Sequence, residues 1–462
     1  MQQTTPAIDF LAKDITNIIF KYYYAPKIIS NWGGEEFCVL LPDGGLHRWT
    51  AKSYVGKMHG IREIISNGRA CAAVTWDDDI ITWGDERHGG KLSLEAHTAI
   101  ADARSKGASV SKIHGTHAGT FCALFSNGGV AGWGSMPLEW SDVKNLEGAI
   151  DVRGNGSGTA FAALMPDGTV RTLGDPARGG DSSSVFDQLK NVAEIYSNIC
   201  AFAARRHDGT VVTWGEPEFG GSTKNVLGDV SKELDQVVQI YNSLRAFAAL
   251  RKDGTVITWG EASSGGDSSG VAGLLHGVES VCASMYGFAV LRRDKTVVSW
   301  GDWGSGLRAT GVVQLCATNT SFAALTDSGR VVVTSVGSSS GGLVGVRSVC
   351  ADSYDVFIAR MDGRIAVWKN AFRHQLLYQV AGDTPFTEVV STGTTPHRGS
   401  SYAAIDAQGN TVTWGGRVNE NSLQTVHGVV WPGHDFGIQR VLVDNKTSIK
   451  GQFDIAFGHP TL

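Results

Sequence analysis

The stretch Gln236–Gly266, QVVQIYNSLRAFAALRKDGTVITWGEASSGG, is one clean copy of a unit that returns along nearly the whole chain. Three strand-like pieces stand in it: Val237–Tyr241, Ala246–Leu250 and Thr255–Trp259. Asp253-Gly254, with apolar runs on both sides, predicts a tight type I′ hairpin between the second and third, because that turn needs positive φ and Gly accepts it freely. Gly260 and Gly265-Gly266 punctuate the exit.

Nine further copies can be aligned on it. They include FCVLLPDGGLHRW ending at Trp49, CAAVTWDDDIITWG ending at Gly84, FCALFSNGGVAGWG ending at Gly134, FAALMPDGTVRTLG, FAARRHDGTVVTWG, FAVLRRDKTVVSWG, FAALTDSGRVVVTSVG, FIARMDGRIAVW and YAAIDAQGNTVTWGG ending at Gly416. From Trp49 to Trp414 the period is about 40 residues, the length of a propeller blade made of short strands. Each small sheet has an apolar face that it cannot bury alone, and stacking neighbours buries it. The expected fold is therefore an all-β, repeat-built β-propeller of about ten units. Propellers typically have about four to eight blades, so ten copies admit a wide ring, a smaller ring with outlying copies, or an open superhelical array. A closed ring, which removes exposed edges, is the expectation. Phe121, Phe161, Phe202, Phe247, Phe288, Phe322 and Phe357 are expected between blades, as are Trp83, Trp133, Trp214, Trp259, Trp300, Trp368 and Trp414.

The propeller repeats are assigned to residues 28–432. Residues 1–27 are read as an amphipathic helix and lead-in, with Ile8, Leu11, Ile15, Ile18, Ile19 and Tyr22 at helical spacing and Pro26 ending the pattern. Residues 433–462 are read as an extension that contributes a closing strand.

A formal net charge of −5 argues against a nucleic-acid partner held mainly by phosphate contacts. No window approaches the roughly 18 apolar residues of a membrane span. The N-terminus lacks the early basic cluster of a signal peptide, which leaves cytosolic residence or a signal-independent export route as expectations. Of seven cysteines, Cys38, Cys71 and Cys122 fall in second strands near an Ala slot, Cys282, Cys316 and Cys350 share one position of the first strand, and Cys200 lies just before its second strand. Phased thiols read as small buried hydrophobes. No CxxC occurs, so neither a zinc ribbon nor any other metal or cofactor is expected.

The segments FAALMPDGTVRTLGDPARGGDSSS, FAARRHDGTVVTWGEPEFGG and FAALRKDGTVITWGEASSGGDSSG, with the first strands EIYSN and QIYNS, resemble the regulator of chromosome condensation repeat family in its bacterial-type short repeats. The resemblance covers about 28–416 and is strongest over 150–301. It implies a β-propeller. It also implies one of several roles: exchange factor for a small GTPase, chromatin or ubiquitin-ligase accessory domain, enzyme inhibitor, or secreted bacterial protein acting on a host. Leu173, Lys295 and Ser335 depart from the repeat pattern.

GNGSG at 154–158 has Ser157 out of register for a nucleophile elbow. His114 and His117 are spaced HxxH, but on a strand and its turn they would point to different faces. The chain is therefore expected to be non-catalytic. One pattern stands out: the residue after the Trp-Gly or Leu-Gly step is acidic at Asp85, Asp175, Glu216, Glu261 and Asp302, and Glu86 adds a sixth acid. On one rim these would form an arc that attracts a basic partner, or they are solvated turn positions. The Gly-Gly-Asp-Ser-Ser turns at 179–183 and 265–269 are loop chemistry, or cradles for a sugar or anion.

The resulting expectation is a protein-interaction scaffold that works through its rim loops, as a bacterial secreted or toxin-associated factor. The alternatives are a carbohydrate-binding lectin, for which Trp140, Trp303 and Trp431 are the aromatic outliers, and a guanine-nucleotide exchange factor. Segments 85–109 and 369–399, the second with Arg373, His374, Phe386 and His397, are the longest interruptions and the expected carriers of specificity.

Overall fold

The computed structural model describes residues 27–31, 36–40, 44–50, 54–135, 146–225, 228–302, 305–334 and 345–351, and the strands at 355–360, 365–369, 375–380, 386–391, 401–406, 411–415 and 424–426. The expected N-terminal helix, the extension after 432, and Trp140, Trp303, Trp431, Ser335, Arg373, His374 and His397 lie outside the described residues.

The sixth repeat sets the pattern. Its strands Val237–Asn242, Ala246–Arg251 and Val256–Gly260 pair antiparallel in chain order. Ten such sheets follow one another among the described residues, six of three strands and four of four. The chain is an all-β, repeat-built propeller. First strands of consecutive repeats lie side by side: Val110–Gly115, Asp151–Gly154, Val192–Ser197, Val237–Asn242, Val278–Ser284, Val312–Ala317 and Val346–Ala351. The strands are short and rich in Val, Ala and aromatics, residues that suit a pleated, buried surface.

Backbone hydrogen bonds tie the repeats in series at both ends. Between first and second strands, the Ser157 N–H donates to Ile199 O (3.0 Å), Ile199 to Leu244 O (3.2 Å), Leu244 to Met285 O (3.0 Å) and Met285 to Asn319 O (2.9 Å). At the hairpin end, the Val237 N–H donates to Gly209 O, Val278 to Gly254 O and Val312 to Lys295 O, each at 2.8–2.9 Å.

The hairpins are not type I′. Only Gly254 has positive φ (+84°), and Asp253 does not. The Gly254 N–H donates to Arg251 O at 2.9 Å, which closes a turn with Lys252 and Asp253 at its centre. Gly254 follows as a left-handed bulge, the three-residue hairpin solution. Asp253 Oδ1 accepts from the Thr255 amide (2.9 Å) and hydroxyl (2.7 Å), and this local bond favours the turn that forms. Lys295 takes the glycine's place at φ +63° and keeps the bond to Arg292 O, so its departure from the pattern leaves the turn intact.

Each sheet has a large face and a small one. Phe247 pairs across strands with Trp259, with ring centroids 5.3 Å apart. That face packs on Ala201 and Ala203 of the preceding repeat. The opposite face, Ala246 and Ala248, receives Phe288 and Trp300 of the next. Alternation along the second strand produces both faces, since successive side chains point opposite ways. Where the pattern is broken, a neighbour compensates. Cys71 fills the Phe slot opposite Trp83, not an Ala slot, and the Arg48 guanidinium sits 4.4 Å from the Trp83 ring centroid. Leu173 stands opposite Phe161. In the ninth repeat Trp368 pairs with Val356, while Phe357 pairs with Val367, because that hairpin is one residue shorter than its counterparts.

Cys38, Cys71, Cys122, Cys200, Cys282 and Cys316 are buried thiols, and burial pushes the Cys122 thiol up to about 12. The long interruptions are not plain rim loops. Segment 85–109 contains a helix, Leu94–Ser105, started by the Ser93 hydroxyl accepting from the Ala96 N–H (3.2 Å), and its Ala96, Ile100 and Ala103 enter the core beside Trp133. Segment 369–399 holds the fourth strand of the ninth repeat, Gln375–Val380, and the first strand of the tenth, Phe386–Ser391.

Phe247→Ala should lower stability by about 3–5 kcal/mol in chemical denaturation, the usual cost of truncating a buried aromatic. A loss under about 1 kcal/mol would contradict the packing of the large face.

Candidate functional site

The third strand of each regular repeat runs into an elbow. In repeats two, four, five and six this is a 3-10 turn at Glu86–His88, Pro176–Arg178, Pro217–Phe219 or Ala262–Ser264. The residue before each turn is the acid singled out above: Asp85, Asp175, Glu216 or Glu261. Asp85 accepts from the Arg87 N–H (2.9 Å) and Asp175 from the Ala177 N–H (3.0 Å), which is N-terminal capping. Glu216 and Glu261, one methylene longer, make no such bond.

Each elbow ends on a left-handed glycine: Gly89, Gly179, Gly220 or Gly265. Two consecutive carbonyls there are clamped. The Asn198 Nδ2–H donates to Phe219 O (2.5 Å) from within the same repeat, and the Trp259 Nε1–H of the next repeat donates to Gly220 O (3.1 Å). The same pair of bonds recurs as Asn67 to His88 O with Trp133 to Gly89 O, Asn155 to Arg178 O with Trp214 to Gly179 O, and Ser243 to Ser264 O with Trp300 to Gly265 O. A Cβ on Gly220 would meet the Phe247 ring at 2.7 Å. The glycine is thus required twice, for its φ of +96° and for its missing side chain.

The elbows place Asp85, Glu86, Asp175, Glu216 and Glu261 at one end of the strands, and exposed Asp302 follows the third strand of the seventh repeat, its N–H donating to Ser263 O (3.0 Å). Three of these acids have partners. Asp85 Oδ2 lies 2.8 Å from His88 Nδ1, Asp175 3.4 Å from Arg178, and Glu261 3.0 Å from Arg245. Burial alone would raise Glu261, but hydrogen bonds from Ser264, Ser263 and Arg245 hold it below its ordinary value. Glu86, Glu216 and Asp302 make no ion pair among the described residues. Arg245 also lies 4.7 Å over the Phe219 ring. The Gly-Gly-Asp-Ser-Ser amides are used internally: Gly179 donates to Pro176 O, Gly180 to Asp175 O and Ser183 to Asp181 Oδ1.

Sequence reading missed the buried Asn67, Asn155, Asn198 and Ser243, although each stands shortly before its second strand. It also missed a charged seam along the first strands, joined by Arg205 from the second strand Ala201–Arg206. Lys112 Nζ pairs with Asp151 (2.6 Å), Arg153 with Asp151 (3.4 Å), Arg205 with Glu194 (2.9 Å), and the Tyr196 hydroxyl donates to Glu194. Lys112 and Asp151 lie 39 residues apart, about one repeat, so no local motif announces the contact that joins the two strands. His114 belongs to this seam, with Lys112, Asp151 and Arg153 facing it and its Nε2 buried without a hydrogen-bond partner. His117 lies beyond the strand end, in the turn that follows.

Two outcomes follow from this geometry. Gly220→Ala should cost about 1–3 kcal/mol through overpacking, whereas Gly270→Ala, with nothing within 4 Å of the added Cβ, should be near neutral in the same urea titration. Equal effects would remove the elbow from the stability argument. The seam should also make the fold acid-sensitive. Burial, reinforced by Arg153 and Lys112, lowers His114 from 6.5 to about 3. Burial would raise Asp151, but Lys112 and Arg153 hold it below its ordinary value. In both cases the unfolded chain binds more protons, so stability present at neutral pH is lost as pH falls below about 6.5 for His114 and through the carboxylate range for Asp151. His114→Phe should lose less stability than the wild type between about pH 7 and about pH 5. Identical losses would exclude the histidine as a cause.

No family model matches the chain, and no curated protein matches it. Solved structures do. Prp20p from Saccharomyces cerevisiae is 15% identical, with 86% of this chain and 83% of that one covered at a TM-score of 0.32. Sqt1 from the same organism is 11% identical, with 84% and 95% covered at 0.32. The computationally designed Ika8 protein is 12% identical, with 85% and 96% covered at 0.33. This chain is similar to them in architecture, and its fold class rests on its own strands and their pairing.

Proposed function

We propose that this protein is a non-catalytic interaction scaffold whose working surface is the elbow end of the propeller. The observation that carries the reading is a division of labour within each elbow. The recurring groups, Asn or Ser, Gly and Trp, are all engaged inside the fold. The outward positions differ from copy to copy: Glu86-Arg87, Ala177-Arg178, Pro217-Glu218 and Ala262. A rigid frame that displays varied side chains suits recognition of a protein surface.

Within this reading Glu86, Glu216 and Asp302 are the acids free to meet a basic partner, while Asp85, Asp175 and Glu261 chiefly shape the elbow. Membership of the regulator of chromosome condensation repeat family, and a role as a bacterial secreted or toxin-associated factor, belong to the same proposal and rest on the repeat segments quoted above. No observation on the described residues favours the lectin or the exchange-factor alternative.

The test is an affinity capture from bacterial and host lysates with the wild type and with Glu86→Lys/Glu216→Lys/Asp302→Lys. A protein retained by the wild type at low salt, and lost from the variant with its melting temperature unchanged, is the expected result. Identical capture by both proteins would overturn the elbow surface.

A further inference from the structure

The hairpin end of the propeller carries a different charge pattern from the elbow end. In repeats five, six and seven the first residue of each turn is an Arg that folds back onto the protein. Arg206 Nε donates to Gln188 O (2.9 Å), Arg251 to Asp235 O (3.1 Å) and Arg292 to His276 O (3.1 Å). The turn acids are engaged as well. Asp208, Asp253 and Asp294 accept from the amides of Thr210, Thr255 and Thr296 at 2.9–3.0 Å, and Asp253 and Asp294 also pair with Arg251 and Arg292.

Most of what remains outward is basic, with exposed Asp327 of repeat eight the exception. Lys252 and Arg293 occupy the exposed second turn position of repeats six and seven. Arg308 and Arg330, both exposed, line a cleft of about 460 Å³ between repeats seven and eight, together with Thr310, Ser328 and Asp327. None of these four cations makes an ion pair among the described residues. Backbone bonds from Val278 to Gly254 O and from Val312 to Lys295 O hold consecutive hairpins next to each other, so the four charges sit on one face.

We propose that this hairpin face of repeats six to eight is a second docking surface, and that its partner is an acidic segment of another protein with one carboxylate seated in the Arg308–Arg330 cleft. Arg308 and Arg330 line one cleft with Thr310 and Ser328, and guanidinium and hydroxyl donors in one cleft suit a carboxylate. The net charge of −5 repels a long polyanion at a distance, whereas a short acidic segment meets only the local field. The surface lies at the opposite end of the strands from the elbows and does not depend on the elbow reading.

The experiment is fluorescence anisotropy with a labelled Glu-rich peptide, a Lys-rich peptide of equal length and a short DNA duplex. It uses the wild type, Lys252→Glu/Arg293→Glu/Arg308→Glu/Arg330→Glu, and the elbow triple variant. We expect the wild type and the elbow variant to bind the acidic peptide alike, with affinity falling as salt rises, and the hairpin variant to lose about tenfold or more. Charge reversal at these four exposed positions is expected to leave the fold intact, which a thermal melt checks. Undiminished binding by a folded hairpin variant would overturn the surface. Loss in the elbow variant alone would move the acidic partner to the other face. DNA bound more tightly than the peptide at equal salt would overturn the assignment to a protein partner.

Discussion

Two neighbouring carbonyls in each elbow hold this propeller together. One accepts from an Asn or Ser of its own repeat, the other from the indole of the next repeat's Trp. A buried carbonyl left without a donor costs about 1–3 kcal/mol, so the indole is more than apolar filling. It fixes the distance between consecutive sheets, and it does so only where glycine lets the backbone turn left-handed against a Phe ring. The aromatic stack, the glycine and the amide therefore form one unit that no single substitution leaves intact.

Around that unit the packing follows from alternation. A strand reading Ala-Phe-Ala gives a bulky face and a flat one, and the bulky face of each repeat fits the flat face before it. Repeats that lack a member show how narrow the requirement is. Arg48 covers Trp83 where Cys71 replaces Phe, and the Thr334 hydroxyl accepts from the Phe322 N–H where Trp is missing. The first strands add a second kind of joint. It is charged across repeats three to five, where Lys112, Asp151, Arg153 and Glu194 meet. Farther along it is neutral, with Gln239, Ser280 and Gln314 at the matching strand position, and there Gln314 accepts from the Val349 N–H of the next repeat.

The two ends of the strands consequently differ in character. At the elbow end acids and bases are interleaved, and much of the charge is neutralised by short contacts. At the hairpin end the acids are drawn into turn hydrogen bonds and the arginines onto backbone carbonyls, which leaves a few cations outward. A scaffold with chemically distinct ends can hold two unlike partners at once without either competing for the other's contacts.

Sequence by itself determined the repeat, the strand order within it and the buried aromatics, because these depend on alternation and spacing that any copy displays locally. Phe247 and Trp259 could be placed in the core from residues 236–266 alone. The type of turn could not: Asp253-Gly254 fits either hairpin, and the Thr255 hydroxyl and amide select the one with a single left-handed residue. The role of Asp85 and Asp175 as caps, the seam from Lys112 to Glu194, and the cleft between Arg308 and Arg330 were decided by tertiary structure. The caps are bonds within one elbow that form only once the third strand has turned into it, whereas the seam and the cleft join groups from different repeats that only the register between sheets brings together.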